Sequence, residues 1–327
     1  MSGQAGAPRA RYFSKEPKES LLIRFSTAAR KYWFIYLLAI PGLLFLLVFS
    51  YAPMYGVVLA FKDFKMNLGV MGSPWVGLYH YRELFADPAF IQAFKNTVII
   101  NIYNLIFGFT FNVFLALMIN ELQMKRLKSV VQTCVYLPYF LSWVIFAGLV
   151  QVFLQAPVPG DVGGVVNQVI QAMGGEPIDF MKRPEMFRGI LVITNIIKPA
   201  GYSTIIYLAA VAGVDPALYE AASIDGAGRM RQLVNVTLPG IASTIVVVMI
   251  LKVGGVMNAG FDQIFNTYNT AVMDTADILD TYVYRQGIQN VKFSYSTAVG
   301  LFKNVINLAL VLLTNAFSKR IGQGGLF

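Results

Sequence analysis

Six apolar runs of about 20 residues each, long enough to cross a hydrocarbon layer roughly 30 Å thick, dominate this chain. They fall at 33–56, 97–119, 130–154, 189–212, 241–261 and 297–317. Lipid cannot satisfy an open backbone, and none of the runs alternates apolar with polar residues as a barrel strand does, so all six are expected to be helices. The expected fold class is therefore an all-α integral membrane protein with six transmembrane helices. Composition agrees: 56% of residues are hydrophobic and 13% charged, where a soluble chain has roughly 45–50% and 25%.

Lysines and arginines orient the spans. The N-terminal tail, 120–129, 213–240 and the C-terminal tail carry 14 of them in about 80 positions. The alternate segments 57–96, 155–188 and 262–296 carry 9 in about 110. The first set is expected to be cytoplasmic, with both termini inside. The net charge of +9 is thereby absorbed by topology, and nucleic acid is not an expected partner. Residues 20–32 place Leu21, Leu22, Phe25, Ala29 and Tyr32 on one helical face, with Arg24, Arg30 and Lys31 free to face outward. This pattern suits a basic amphipathic helix on the inner leaflet of the bilayer. Residues 1–19 are expected to be disordered. No small-residue cleavage site follows the first run, which is expected to be an uncleaved span. Two parts result: a tail with amphipathic helix over 1–32, and a six-helix membrane domain over 33–327.

Several chemistries are excluded or disfavoured. With one cysteine (Cys134) and one histidine (His80), the chain has no internal disulfide and little material for a metal centre or a histidine-based triad. It has no Gly-x4-Gly-Lys-Ser/Thr phosphate loop. Glu121 and Asp262 fall at span ends, and no acidic residue lies deep in a span. A secondary carrier or channel is the alternative class, but a proton-coupled carrier would normally place carboxylates there.

The loop 213–240 is the informative segment. Asp215 is a good N-cap, Pro216 fits the first helical position, and Gly226 can end the helix. A compact cytoplasmic helix of about ten residues follows, too short to span. Leu218, Ala221, Ala222 and Asp225 fall near one side of it. A second short helix, near 228–237, leads through Leu238-Pro239 into the fifth span.

This loop carries a resemblance. Glu220-Ala221-Ala222, three residues, Gly226, nine residues and then Val236-Thr237-Leu238-Pro239 resemble the coupling motif of type I ABC importer permeases. The one departure is Val236, where isoleucine is usual. Pro53-Met54-Tyr55-Gly56, Ala60-Phe61-Lys62-Asp63-Phe64, Pro74-Trp75-Val76-Gly77-Leu78 and Thr204-Ile205-Ile206-Tyr207-Leu208 are similar to the maltose-permease-like sugar branch, nearest its oligosaccharide and alginate importers. The resemblance implies a non-enzymatic transport subunit in the bacterial inner membrane. It implies a second permease, a different chain in the sugar branch, and two ATPase subunits that hold ATP and Mg, with no cofactor on this chain. It further implies a periplasmic binding protein that delivers a saccharide. Glu220, Ala221, Ala222, Asp225 and Gly226 would belong to the helix that docks on the ATPase, and Leu238 and Pro239 would fix the elbow back into the membrane.

Lys198 and Lys252 lie at nearly equal depth close to the bilayer middle, where an unpaired charge costs several kcal/mol. They are expected either to meet carboxylates of an acidic saccharide such as a uronate, or to bond backbone carbonyls or side chains such as Asn195 and Asn258, or to snorkel. Asn104 offers a further polar contact and Tyr202 a ring for sugar stacking. Lys303, near an outer end, is expected to snorkel.

Overall fold

The computed structural model describes residues 31–320; the amphipathic helix expected at 20–32 and the tail before it lie almost wholly outside that range. The described residues are helical apart from loops and one isolated bridge between Lys62 and Trp75. The chain divides into two units, 1–56 and 57–327. In the first, α1 (Trp33–Leu46) continues through a π turn to Tyr51 and buries no side chain.

Four helices among the described residues are long and apolar enough to cross a membrane, Trp33–Phe61, Pro88–Glu121, Pro184–Ala212 and Phe293–Arg320, or six if each of two bent pairs is one span. The expected span 130–154 is one of those pairs. It comprises α2 (Lys125–Phe140) and α3 (Trp143–Leu154), bent by 106°. Pro138 removes a helical N–H and crowds the preceding turn, and Leu141 and Ser142 then adopt extended backbone. Ser142 starts a new helix, its Oγ accepting from Ile145 N at 3.3 Å. The other pair is Arg229–Gly240 with α4 (Ala242–Gly254), bent by 60°. Its apolar run to 261 does not stay helical, because Gly254-Gly255 ends α4 and the chain turns before α5 (Phe261–Thr267).

Two helices begin earlier than their apolar runs. The second expected span starts at Pro88, capped by Asp87, whose Oδ1 accepts from Ala89 N at 2.8 Å. α6 (Pro184–Ala212) starts five residues before position 189. At 1.5 Å per residue its 29 residues measure about 44 Å, so it extends beyond the hydrocarbon layer and forms the central strut. Near its start Phe187 and Leu191 join a buried cluster with Ile100, Ala259, Ile264 and Ile278. Near its end Val211 packs with Leu117 and Ile241. α7 (Phe293–Arg320) lies against α4, where Gly254 permits contact: a Cβ there would stand 2.4 Å from Val311 Cγ2.

Beyond the start of α6, polar groups tie the loops together. Tyr282 donates to Asp87 and shares a 2.8 Å hydroxyl contact with Tyr295. Arg285 pairs with Asp277 in a fork. Lys303, expected to snorkel, instead pairs with Asp280, because the short helix Leu279–Tyr284 packs on α7.

Candidate functional site

Two features stand out along α6, one at its end and one near its middle. At its end the chain turns through Gly213 into a short helix, Pro216–Ile224. Asp215 caps it, with Oδ1 accepting from Ala217 N at 2.9 Å. Gly226 closes it with a φ of +73°, a left-handed conformation that costs other residues about 1–2 kcal/mol, and Ala227 N then donates to Ala222 O at 2.8 Å. The return leg is tied to this helix by Tyr219 Oη and Thr237 Oγ1 at 3.0 Å and by Gln232 Nε2 to Ser223 Oγ at 2.9 Å.

These ties decide which face is presented. Leu218, Glu220, Ala221, Asp225 and Gly226 are exposed, as is Ile224 at 87%, while Ala222 is half-buried rather than level with Ala221. Leu238 packs with Val214 around the cluster of Leu117, Val211 and Ile241, and Pro239 sits in the exposed elbow. Gly240 lets the two legs close, since a Cβ there would meet Val214 Cγ2 at 2.9 Å. The result is a short, doubly capped helix with an apolar and acidic outer face, held firmly to the end of α6.

Near the middle of α6, a cavity of about 230 Å³ opens between helices. Its wall is made where regular helix fails. Asn104, Leu105 and Gly108 come from a π turn inside Pro88–Glu121, Pro199 removes a helical N–H from within the continuous α6, and Gly255 and Gly260 flank the turn after α4. Irregular backbone at membrane depth survives where it is buried in protein or lines a wet cavity, and π turns recur at functional sites.

The polar side chains of the wall are Asn101, Asn104, Asn112, Asn195, Asn258 and Lys252, with no acidic residue among them. Asn195 is held in place: it donates to Gln263 Oε1 at 2.8 Å, and buried Gln263 donates to Leu191 O at 2.6 Å and Thr194 Oγ1 at 2.8 Å. Asn101 donates to Thr97 O at 2.9 Å. The Oδ1 atoms of Asn104 and Asn112 are buried without a hydrogen-bond partner. Lys252 is an exposed residue on this wall; its carbonyl accepts from Gly255 N at 3.1 Å, while its ammonium has no hydrogen bond or ion pair with any described residue.

The expected binding residues thus separate into two groups. Asn104, Asn195, Asn258 and Lys252 share the cavity wall, whereas Lys198 and Tyr202 lie away from it at the α2–α3 break. Lys198 is only 7% exposed, donates to Tyr139 O at 3.2 Å and stands 5.0 Å over the Trp143 ring. Tyr202 stacks on Tyr139 with ring centroids 4.2 Å apart. Pro199 and Gly260 escape a reading by polarity and charge, and Gln263 falls just past the expected span 241–261. Pro199 had a signal of its own, a proline inside a long apolar helix.

Comparison with known proteins places these features in context. The family model described as binding-protein-dependent transport system inner membrane component matches residues 108–323. The chain is 44% identical over 324 residues to the polygalacturonan/rhamnogalacturonan transport system permease protein YteP of Bacillus subtilis (strain 168), covering 99% of this chain and 98% of that one. It is 42% identical to Protein LplB of the same organism, over 93% and 94% of the two chains. Its fold matches a chain of the bacterial alginate ABC transporter crystallised in complex with an alginate pentasaccharide-bound periplasmic protein. That match has a TM-score of 0.84 at 39% identity, over 93% of this chain and 100% of that one.

Proposed function

The chain belongs to the family of binding-protein-dependent transport system inner membrane components, and from that premise we propose that it is the saccharide-conducting permease of an ATP-driven importer. It is a transport component and not an enzyme. Its substrate is an oligosaccharide passed on by a periplasmic binding protein, as the names of the relatives suggest for their own cargo. It pairs with a second, different permease in the bacterial inner membrane, with both termini cytoplasmic. Two ATPase subunits bind ATP and Mg.

One observation carries this reading: a single helix, α6, runs from the polar cavity at Asn195 directly into the capped helix Pro216–Ile224. A stiff strut of this kind converts a rotation imposed at one end into a change of cavity access at the other. Leu218, Glu220, Ala221, Asp225 and Gly226 offer the exposed surface for the ATPase. Ala222 and the elbow at Leu238 and Pro239 hold that surface in place. In the cavity, Asn104, Asn195 and Asn258 supply amides for sugar hydroxyls. At the α2–α3 break, away from the cavity, exposed Tyr202 offers an aromatic ring for a sugar.

The test is reconstitution of the chain, with the proteins that co-purify from its native membranes, into liposomes. ATP-dependent, vanadate-sensitive uptake of an oligosaccharide is the expected result. Recovery of a stable chain with no ATPase, or uptake that follows the proton gradient alone, would sink the reading.

A further inference from the structure

We infer that Lys252 reads a carboxylate, and that the cavity selects a polyhydroxylated acid, a uronate unit of the saccharide, over a neutral sugar. The inference rests on the reading of the chain as a saccharide permease and adds the substrate's charge.

The case is one of complementarity. The cavity holds two kinds of unmet need that do not bond each other. Asn104 Oδ1 and Asn112 Oδ1 are buried acceptors without donors. The Lys252 ammonium bonds no described residue and has no counter-ion on the wall. A neutral sugar brings hydroxyl donors to the two amides but leaves the ammonium uncompensated. A small inorganic anion compensates the ammonium but brings no donors. A uronate brings both, with hydroxyls to donate to the amide oxygens and a carboxylate to accept from Lys252.

The second lysine sharpens the assignment. Lys198 lies at similar depth, yet its ammonium is already committed to the Tyr139 carbonyl and the Trp143 ring. One cation is therefore left for the cargo. Between apolar helices the effective dielectric is lower than at an open surface, so the pairing is stronger there. Charge then discriminates where shape cannot, since reducing a carboxylate to a primary alcohol barely changes the size of the sugar.

The experiment uses the reconstituted importer with its own binding protein and two probes, a trimer of galacturonate and the same trimer with its carboxylates reduced to alcohols. Wild type should take up the acidic trimer at least tenfold faster. Lys252→Gln should lower uptake of the acid by about tenfold with little effect on the neutral trimer, and Lys252→Arg should retain most of it. Each variant should co-purify with its ATPase as wild type does. Because the binding protein is common to all arms, a changed ratio belongs to the permease. An unchanged acid-to-neutral ratio in Lys252→Gln would overturn the inference while leaving the importer reading intact. ATP-driven uptake of neither trimer by wild type would overturn the assignment of a galacturonate-type uronate, whereas the saccharide reading falls only with the loss of ATP-driven uptake of every oligosaccharide tried.

Discussion

The ammonium of Lys198 donates to the backbone carbonyl of Tyr139 at 3.2 Å, and the carbonyl is free because the helix ends at Phe140. The α2–α3 break would otherwise leave an unsatisfied acceptor at the C-terminal, negative end of α2, where a cation is favoured. Trp143, the first residue of α3, stands under the same ammonium at 5.0 Å. Lys198 therefore links both sides of the break to α6.

Lys198→Met keeps the apolar stem and removes the donor. An orphaned buried carbonyl costs about 1–3 kcal/mol, so the purified complex should melt at a lower temperature than wild type. Its preference between acidic and neutral trimers should not move. A selectivity change equal to that of Lys252→Gln would mean that Lys198 meets cargo after all.

Glycines on α6 give a contrast within one helix. A Cβ at Gly201 would stand 2.4 Å from Val135 O and 2.7 Å from Tyr136 Cα, both backbone. Gly189 has nothing within 4 Å. Gly201→Ala should push α6 and α2 apart and cost about 1–3 kcal/mol through overpacking. Gly189→Ala should be neutral or gain up to about 1 kcal/mol in helix propensity. Thermal unfolding of the two variants side by side checks the order; equal midpoints would refute the tight contact.

How much of this was legible beforehand follows the range of the signals. The helix Pro216–Ile224 could be read locally, since Asp215, Pro216 and Gly226 each act on their own neighbours. The break at Leu141-Ser142 was hidden inside an apolar run, because hydropathy averages over a single capping serine. Lys198 and Lys252 looked equivalent by depth. Only tertiary structure separates them, since a chain break supplies a carbonyl to one and nothing reaches the other. The cavity wall was partly visible in its asparagines. Its shape was not, because it depends on a π turn, Pro199 and Gly254-Gly255 coming together from three segments.

Asp87 sets an acid limit on the loops beyond the start of α6. Burial pushes its carboxyl up, but hydrogen bonds from Tyr282, Ala89 N and Tyr295 outweigh it and hold the group below the usual carboxylate range. Burial and the bond to Asp87 also push the Tyr282 hydroxyl up, so it remains a donor. A carboxyl lowered in the folded state stabilises above its unfolded value, near 4, and that stabilisation is lost as pH falls toward the folded value. Melting temperature should therefore drop on acidification below about pH 4. Asp87→Asn, which still caps the helix at Pro88, should be less stable at neutral pH and less sensitive to acid. Parallel acid profiles for the two proteins would exclude Asp87 as the group responsible.

Gly226 tests whether the capped helix transmits work. Its φ of +73° makes it the residue that turns the chain back toward Gln232, and a Cβ there would meet nothing within 4 Å. A substitution consequently acts through backbone strain and not through collision. Gly226→Ala should cost about 1–2 kcal/mol of local strain, splaying the end of the helix that carries Glu220 and Ala221. Gly226→Asn should cost less, because asparagine tolerates the left-handed region. If the exposed face docks on the ATPase, the amount of ATPase that co-purifies should fall in the order glycine, asparagine, alanine, and ATP-driven uptake should fall with it. Glu220→Ala changes the face without straining the turn, so it should weaken docking while leaving the melting temperature near wild type. If ATPase recovery stays level across all three variants, this helix is not the docking surface, and the exposure of Leu218 and Ile224 would need another partner.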